Sequence, residues 1–145
     1  MKTPTNKETL LHEILEQAQE YKTEGPRIKF LKKHDSFALR TVLQLAFNKD
    51  IELDFPSGAP PFKEQEAPTG LEPVRLKNVI KGLGNCVKGN NVPVVKKEKI
   101  FISILEQINA NDAKVIIAAK DKELDKIYSN ITADVVEKAF PNLIK

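Results

Sequence analysis

The chain has 145 residues, 41% of them apolar and 30% charged, with one cysteine and a formal net charge of +3. That size suits a single domain with its own core, and the composition argues against disordered, fibrous and disulfide-framed classes. No apolar run reaches the roughly 18 residues a membrane span requires, and the charges in Met1–Leu15 argue against a signal peptide. With Cys86 alone and unable to form an internal disulfide, the expectation is a cytoplasmic protein, folded as one domain over residues 1–145.

Thr5-Asn6-Lys7-Glu8 reads as a capping box, followed by Leu10, Leu11, Ile14, Leu15, Ala18 and Tyr21 at helical spacing. A first helix over 6–23 is predicted. Gly25-Pro26 is expected to end it and to start a short helix over 27–33, with Ile28 and Leu31 inward. Asp35 can cap a third helix, 36–48, whose Leu39, Val42, Leu43, Ala46 and Phe47 share one face. Residues 49–73 then hold prolines at 56, 60, 61, 68 and 73, which leave room only for a short extended piece at Ile51–Phe55.

Beyond the segment 74–99, Ile100, Phe101, Ile104, Leu105 and Ile108 form a stripe on a helix over 97–108. Asn111 is expected to cap 112–120, apolar nearly all round and therefore the central buried helix. Thr132 caps 133–140, and Pro141 stops it. The fold class predicted is all-α: one domain of about six helices with a long proline-rich loop, 49–73.

Recognisable catalytic chemistry is missing. Gly84 and Gly89 have the spacing of a phosphate loop, but Asn90-Asn91 stand where lysine and a hydroxyl residue must hold phosphate and magnesium. His12, His34 and Cys86 have no metal-ligand spacing. His12, beside Glu13 and Glu16, reads as part of a solvated face. Cys86 reads as a packed or loop thiol without a base. Asp121, Glu123 and Asp125 alternate with Lys120, Lys122 and Lys126, a self-neutralised surface. The expectation is no enzyme, no cofactor, no metal and no small-molecule substrate.

The charge is uneven. Residues 74–99 contain Arg75, Lys77, Lys81, Lys88, Lys96, Lys97 and Lys99 against the single acid Glu98, so this segment exceeds the net charge of the whole chain. Lysines among glycines and asparagines suit backbone phosphates, because each neutralised phosphate releases counterions and no base sequence is required. No aromatic lies between 63 and 100, which argues against a stacking platform and favours duplex contact. The alternative is a charged linker or a protein-interaction module, docking through Phe55, Phe62 and Leu71 of the proline-rich loop.

A family resemblance joins these pieces. Ile14-Leu15, Ile28–Lys33 and Asp35–Leu39 follow one another like the helix, lysine-rich turn and D-x-x-L-L-type helix of a known domain. Pro60-Pro61-Phe62 falls where that domain carries a proline-containing segment. Lys81-Gly82-Leu83-Gly84-Asn85 is similar to its L-T-G-N element without the threonine, and Lys120-Asp121 to its K-D-L. Ala139–Ile144 is similar to its terminal N-K-V-x-P-x-L-I, with Glu137 in place of an asparagine. The chain thus resembles the N-terminal α-helical DNA-binding domain of T-even-type phage ATP-dependent DNA ligases, and a group of short uncharacterised tailed-phage proteins. The nucleotidyltransferase motif K-x-D-G is missing from the sequence. The resemblance therefore implies the DNA grip without the catalytic head, in the cytoplasm of an infected bacterium, serving replication or repair. It implies double-stranded DNA as partner, with a sliding clamp or another replication protein as a second. It points to Gly84, Asn85 and Lys120; Arg75, Lys77, Lys81, Lys88, Lys96 and Lys97 rest on charge alone.

Overall fold

A computed structural model describes residues 9–68, 71, 72 and 74–144. The described residues are all-α: eight α-helices and one 3-10 segment, with a single isolated β-bridge. Each of the six predicted helices has a counterpart, and two four-residue helices and the 3-10 segment are additional.

Helix α1 spans Leu11–Glu20 and buries Leu11, Ile14, Leu15 and Ala18. Its start is fixed by Glu13, whose carboxylate accepts from the Leu10 N–H at 2.8 Å. The predicted capping box at Thr5–Glu8 lies outside the described residues. Gly25-Pro26 does not end α1. The buried Arg27 does, donating from Nε to the Ala18 carbonyl at 3.2 Å and from Nη2 to the Tyr21 carbonyl. Helix α2, Glu24–Lys33, therefore begins before the glycine, with Pro26 in a first turn whose N–H groups have no intrahelical acceptor to lose. Helix α3 spans Phe37–Phe47. Ser36, not Asp35, caps it, its hydroxyl accepting from Leu39 N–H at 3.1 Å, because Asp35 is taken up by Arg40 at 2.6 and 2.7 Å.

From 48 to 75 the described chain carries no helix. Residues 52–54 pair antiparallel with 86–88: Asp54 N–H donates to the Cys86 carbonyl at 2.9 Å and Lys88 N–H to that of Glu52 at 2.8 Å. Helix α4, Leu76–Val79, runs directly into the 3-10 segment Ile80–Cys86, which lies along α5, Val94–Gln107. Helix α5 starts three residues earlier than its apolar stripe predicts, at the Pro93 cap.

Helix α6, Ala110–Lys120, touches α1, α3, α5 and α7, so the centre of the core is where its apolar composition places it. Its cap is Asn109, which accepts from Asn111 N–H at 2.8 Å. The four-residue α7, Leu124–Ile127, leads to α8, Ala133–Ala139, which packs on α2 and is capped by Thr132 through Val135 N–H at 3.3 Å.

Gly82 sets how closely the 3-10 segment approaches α5. A Cβ there would lie 3.1 Å from Ile104 Cδ1 and 3.5 Å from Ile100 Cγ2, whereas one on Gly84 would meet nothing within 4 Å. Gly82→Val is expected to destabilise the protein by about 1–3 kcal/mol through overpacking, and Gly84→Ala to stay within about 0.5 kcal/mol. Urea denaturation of the two variants checks this, and equal costs would count against the close approach.

Candidate nucleic-acid interface

The 3-10 segment forms a ridge with a groove on either side. A 3-10 helix brings side chains at i and i+3 into register, so Lys81 and Gly84 share one flank while Gly82 faces α5. On the α5 side, Lys96, Lys99, Ser103 and Gln107 recur at helical spacing, and with Asn78 and Gly82 they border a shallow, open groove over Val79, Ile100 and Ile104. No carboxylate lines this groove. On the other side, Lys81 and Gly84 border a pocket with Phe37 and Gln44 of α3, and that lining is also free of carboxylates.

The remaining predicted residues divide. Asn85 is exposed beside Gly84, and its carbonyl accepts from Asn90 Nδ2 at 3.1 Å. The turn that follows needs Gly89, whose φ of +96° disfavours any side chain. Lys88 is exposed, with its ammonium 3.2 Å from Glu52. Such solvent-exposed pairs hold weakly, so Lys88 can turn to a phosphate. Arg75 and Lys77 line a different cavity of about 380 Å³, together with Lys33 and His34 from the end of α2.

Two predicted contacts are corrected. Lys97 is 1% exposed, donating to Asp54 Oδ2 at 3.0 Å and to the Val87 carbonyl at 2.9 Å. Lys120 is 7% exposed, donating to the Pro56 carbonyl at 2.8 Å and to Asp121 Oδ1 at 2.6 Å. Both ammonium groups tie the long connection to the core, and neither faces an incoming phosphate. Lys122 is likewise not a surface charge. Its Nζ donates to the carbonyls of Leu45, Asn48 and Ile51, in the last turn of α3 and just beyond it, and burial lowers its pKa, against the influence of Glu52.

The expected solvated His12 is buried and bonded to Asp112. Cys86 is fully buried, and burial pushes its thiol up to about 11, against the influence of Lys97. Among the described residues, no His, Cys, Asp and Glu cluster could hold a metal ion, and no helix is long and apolar enough to cross a membrane.

The proposed docking residues mostly turn inward. Phe55 stacks on Phe101 with ring centroids 4.7 Å apart, and Phe62 packs half-buried against the core. Backbone N–H groups of Gly58 and Lys63 donate to Asp121 and Glu106 at 3.0 and 2.9 Å. Leu71 alone stands out, 72% exposed.

Sequence reasoning left out Asn78, Ser103 and Gln107 of this groove, and Phe37 of the neighbouring pocket, and counted Lys99 only toward the charge of its segment. Helical spacing from Lys96 carries the signal for three of them, once α5 is allowed to begin at Val94. Phe37 reaches the ridge only through tertiary packing.

An all-α domain with a basic, carboxylate-free groove is the class these features define. The chain belongs to a family of unknown function, DUF6433, whose model matches residues 14–126. No curated protein and no solved structure matches it significantly.

Proposed function

We propose that this protein is a non-catalytic accessory factor that grips the phosphate backbone of double-stranded DNA across the 3-10 ridge, in phage replication or repair. Lys81, Lys88, Lys96 and Lys99 neutralise phosphates, Asn85 and Asn78 offer amide donors, and Gly84 leaves room for a close approach. The six longer helices are the scaffold, and the long proline-containing connection is a strap over it. The observation that carries this reading is the meeting of Lys96, Lys99, Asn78 and Gly82 around one groove with no carboxylate in its lining. The resemblance to the phage ligase DNA-binding domain supports the same partner, and it offers a sliding clamp as a second. Docking of a protein through the strap is the weaker reading, since Phe55 and Phe62 pack against the core.

Fluorescence anisotropy with a labelled 20-base-pair duplex tests it. Four phosphate contacts give a log–log salt slope of about −3 to −4, or a loss of affinity of about a hundredfold between 50 and 200 mM salt. The combined K81E, K96E and K99E variant is expected to lose binding with its helical circular dichroism intact. Unchanged affinity in that variant would overturn the proposal.

A further inference from the structure

Beyond the phosphates, the flank of the ridge opposite α5 carries an aromatic surface. Phe37, the first residue of α3, is 59% exposed although it is among the largest apolar side chains. Among the described residues its ring stacks on no other ring; Tyr21, Phe30, His34, Phe55 and Phe101 make the ring pairs. It borders the same pocket as Lys81 and Gly84, of about 280 Å³, floored by aliphatic side chains such as Leu53, Ile80 and Leu83. Gln44 reaches this pocket from two turns further along α3. Its Nε2 donates to the Leu143 carbonyl at 3.2 Å, which leaves its Oε1 as an acceptor.

We infer that this pocket holds one unpaired nucleobase, stacked on Phe37, while Lys81 holds the adjoining phosphate, for which Gly84 leaves room. Every part of that ligand meets its chemistry here. A base presents a π-face that any aromatic ring can stack on without regard to sequence. Its exocyclic amine or ring N–H can donate to Gln44 Oε1. Its phosphate is complementary to an ammonium group and to a main chain with no Cβ in the way, and no acid lines the pocket to repel it. An apolar side chain of a partner protein would use the ring but would leave the Lys81 charge and the Gln44 acceptor unanswered. The substrate class therefore narrows from duplex DNA to duplex DNA bordered by an unpaired stretch. The sequence argued against stacking because residues 63–100 lack an aromatic; the ring comes instead from α3, which packs beside α4.

The inference rests on the DNA-binding function proposed above, and the experiment separates the two. Anisotropy titrations of the full chain use an intact duplex, the same duplex with a three-nucleotide gap, and a single strand of equal length. The wild type is expected to prefer the gapped duplex to the intact one about tenfold. Phe37→Ala is expected to abolish that preference while changing intact-duplex affinity less than about twofold, and Phe37→Trp to keep it. Loss of a stack of this kind costs roughly 5- to 150-fold per base. Equal affinity of Phe37→Ala and wild type for the gapped duplex would overturn the inference and leave the ring to a protein partner. If the lysine reversals then still abolish duplex binding, the backbone grip stands without the stack. No binding to any of the three DNAs would overturn both.

Discussion

Lys97→Met is expected to lower the unfolding free energy by about 3 kcal/mol, the range in which removing one partner of a buried ion pair falls. The lysine side chain is enclosed, while its partner Asp54 retains some contact with water, which places the loss at the lower end of that range. Two groups lose their donor at once, the Asp54 carboxylate and the Val87 carbonyl. Both belong to the short antiparallel contact that anchors the strap against the chain after the 3-10 segment. The neighbouring Lys96→Met is expected to change stability by less than about 0.5 kcal/mol, yet to weaken DNA binding. Urea denaturation alongside anisotropy therefore gives opposite orders for two adjacent lysines. Asp54→Ala and the double variant complete a cycle, with a loss smaller than the sum because the pair is one interaction. A Lys97→Met protein of wild-type stability with reduced DNA affinity would mean that this ammonium swings out to the ligand.

The difference between Lys96 and Lys97 also shows what was legible in the sequence. Phe101, Ile104, Leu105 and Ile108 define the inward stripe of α5, and Lys97 stands four residues before the first of them, on the same face. The spacing thus contained the answer, and treating every lysine as a solvent residue concealed it. Lys120 stands likewise four residues beyond the buried Ile116. Periodicity located α3 and α6 within two residues because their apolar faces are dense. It missed α4 and α7 because a single turn has no period to detect, and the 3-10 segment because Gly82 and Gly84 read as loop residues. Caps were displaced where two candidates competed: Asp35 lost to Ser36 once Arg40 claimed its carboxylate. The placing of Phe37 beside Lys81 depends on α3 packing against α4, which nothing local encodes.

The same distinction governs the second large effect. Asp112→Ala is expected to cost about 2–4 kcal/mol, because one carboxylate oxygen accepts twice from α1. It takes the His12 backbone N–H at 2.9 Å, a first-turn donor with no intrahelical partner, and the His12 Nδ1 at 2.7 Å. Burial, the largest single influence on the imidazole, lowers its pKa. The hydrogen bond and charge of Asp112, with Glu16 and Glu13, more than offset that, so the folded value lies above the ordinary one. Tyr128, another titratable group near this pair, is pushed up to about 12, chiefly by burial, and stays neutral. A raised histidine pKa means that folding favours the protonated ring. The pair's contribution is thus complete below the unfolded value of about 6.5 and fades as pH rises through the higher folded value. Asp112→Asn keeps an oxygen for the backbone N–H and removes the charge, so it should retain much of the stability and lose the pH dependence. Urea midpoints for the three proteins from pH 5 to 9 measure this. A wild-type curve parallel to that of Asp112→Asn would mean that the buried imidazole stays neutral and that the hydrogen bonds alone join α1 to α6.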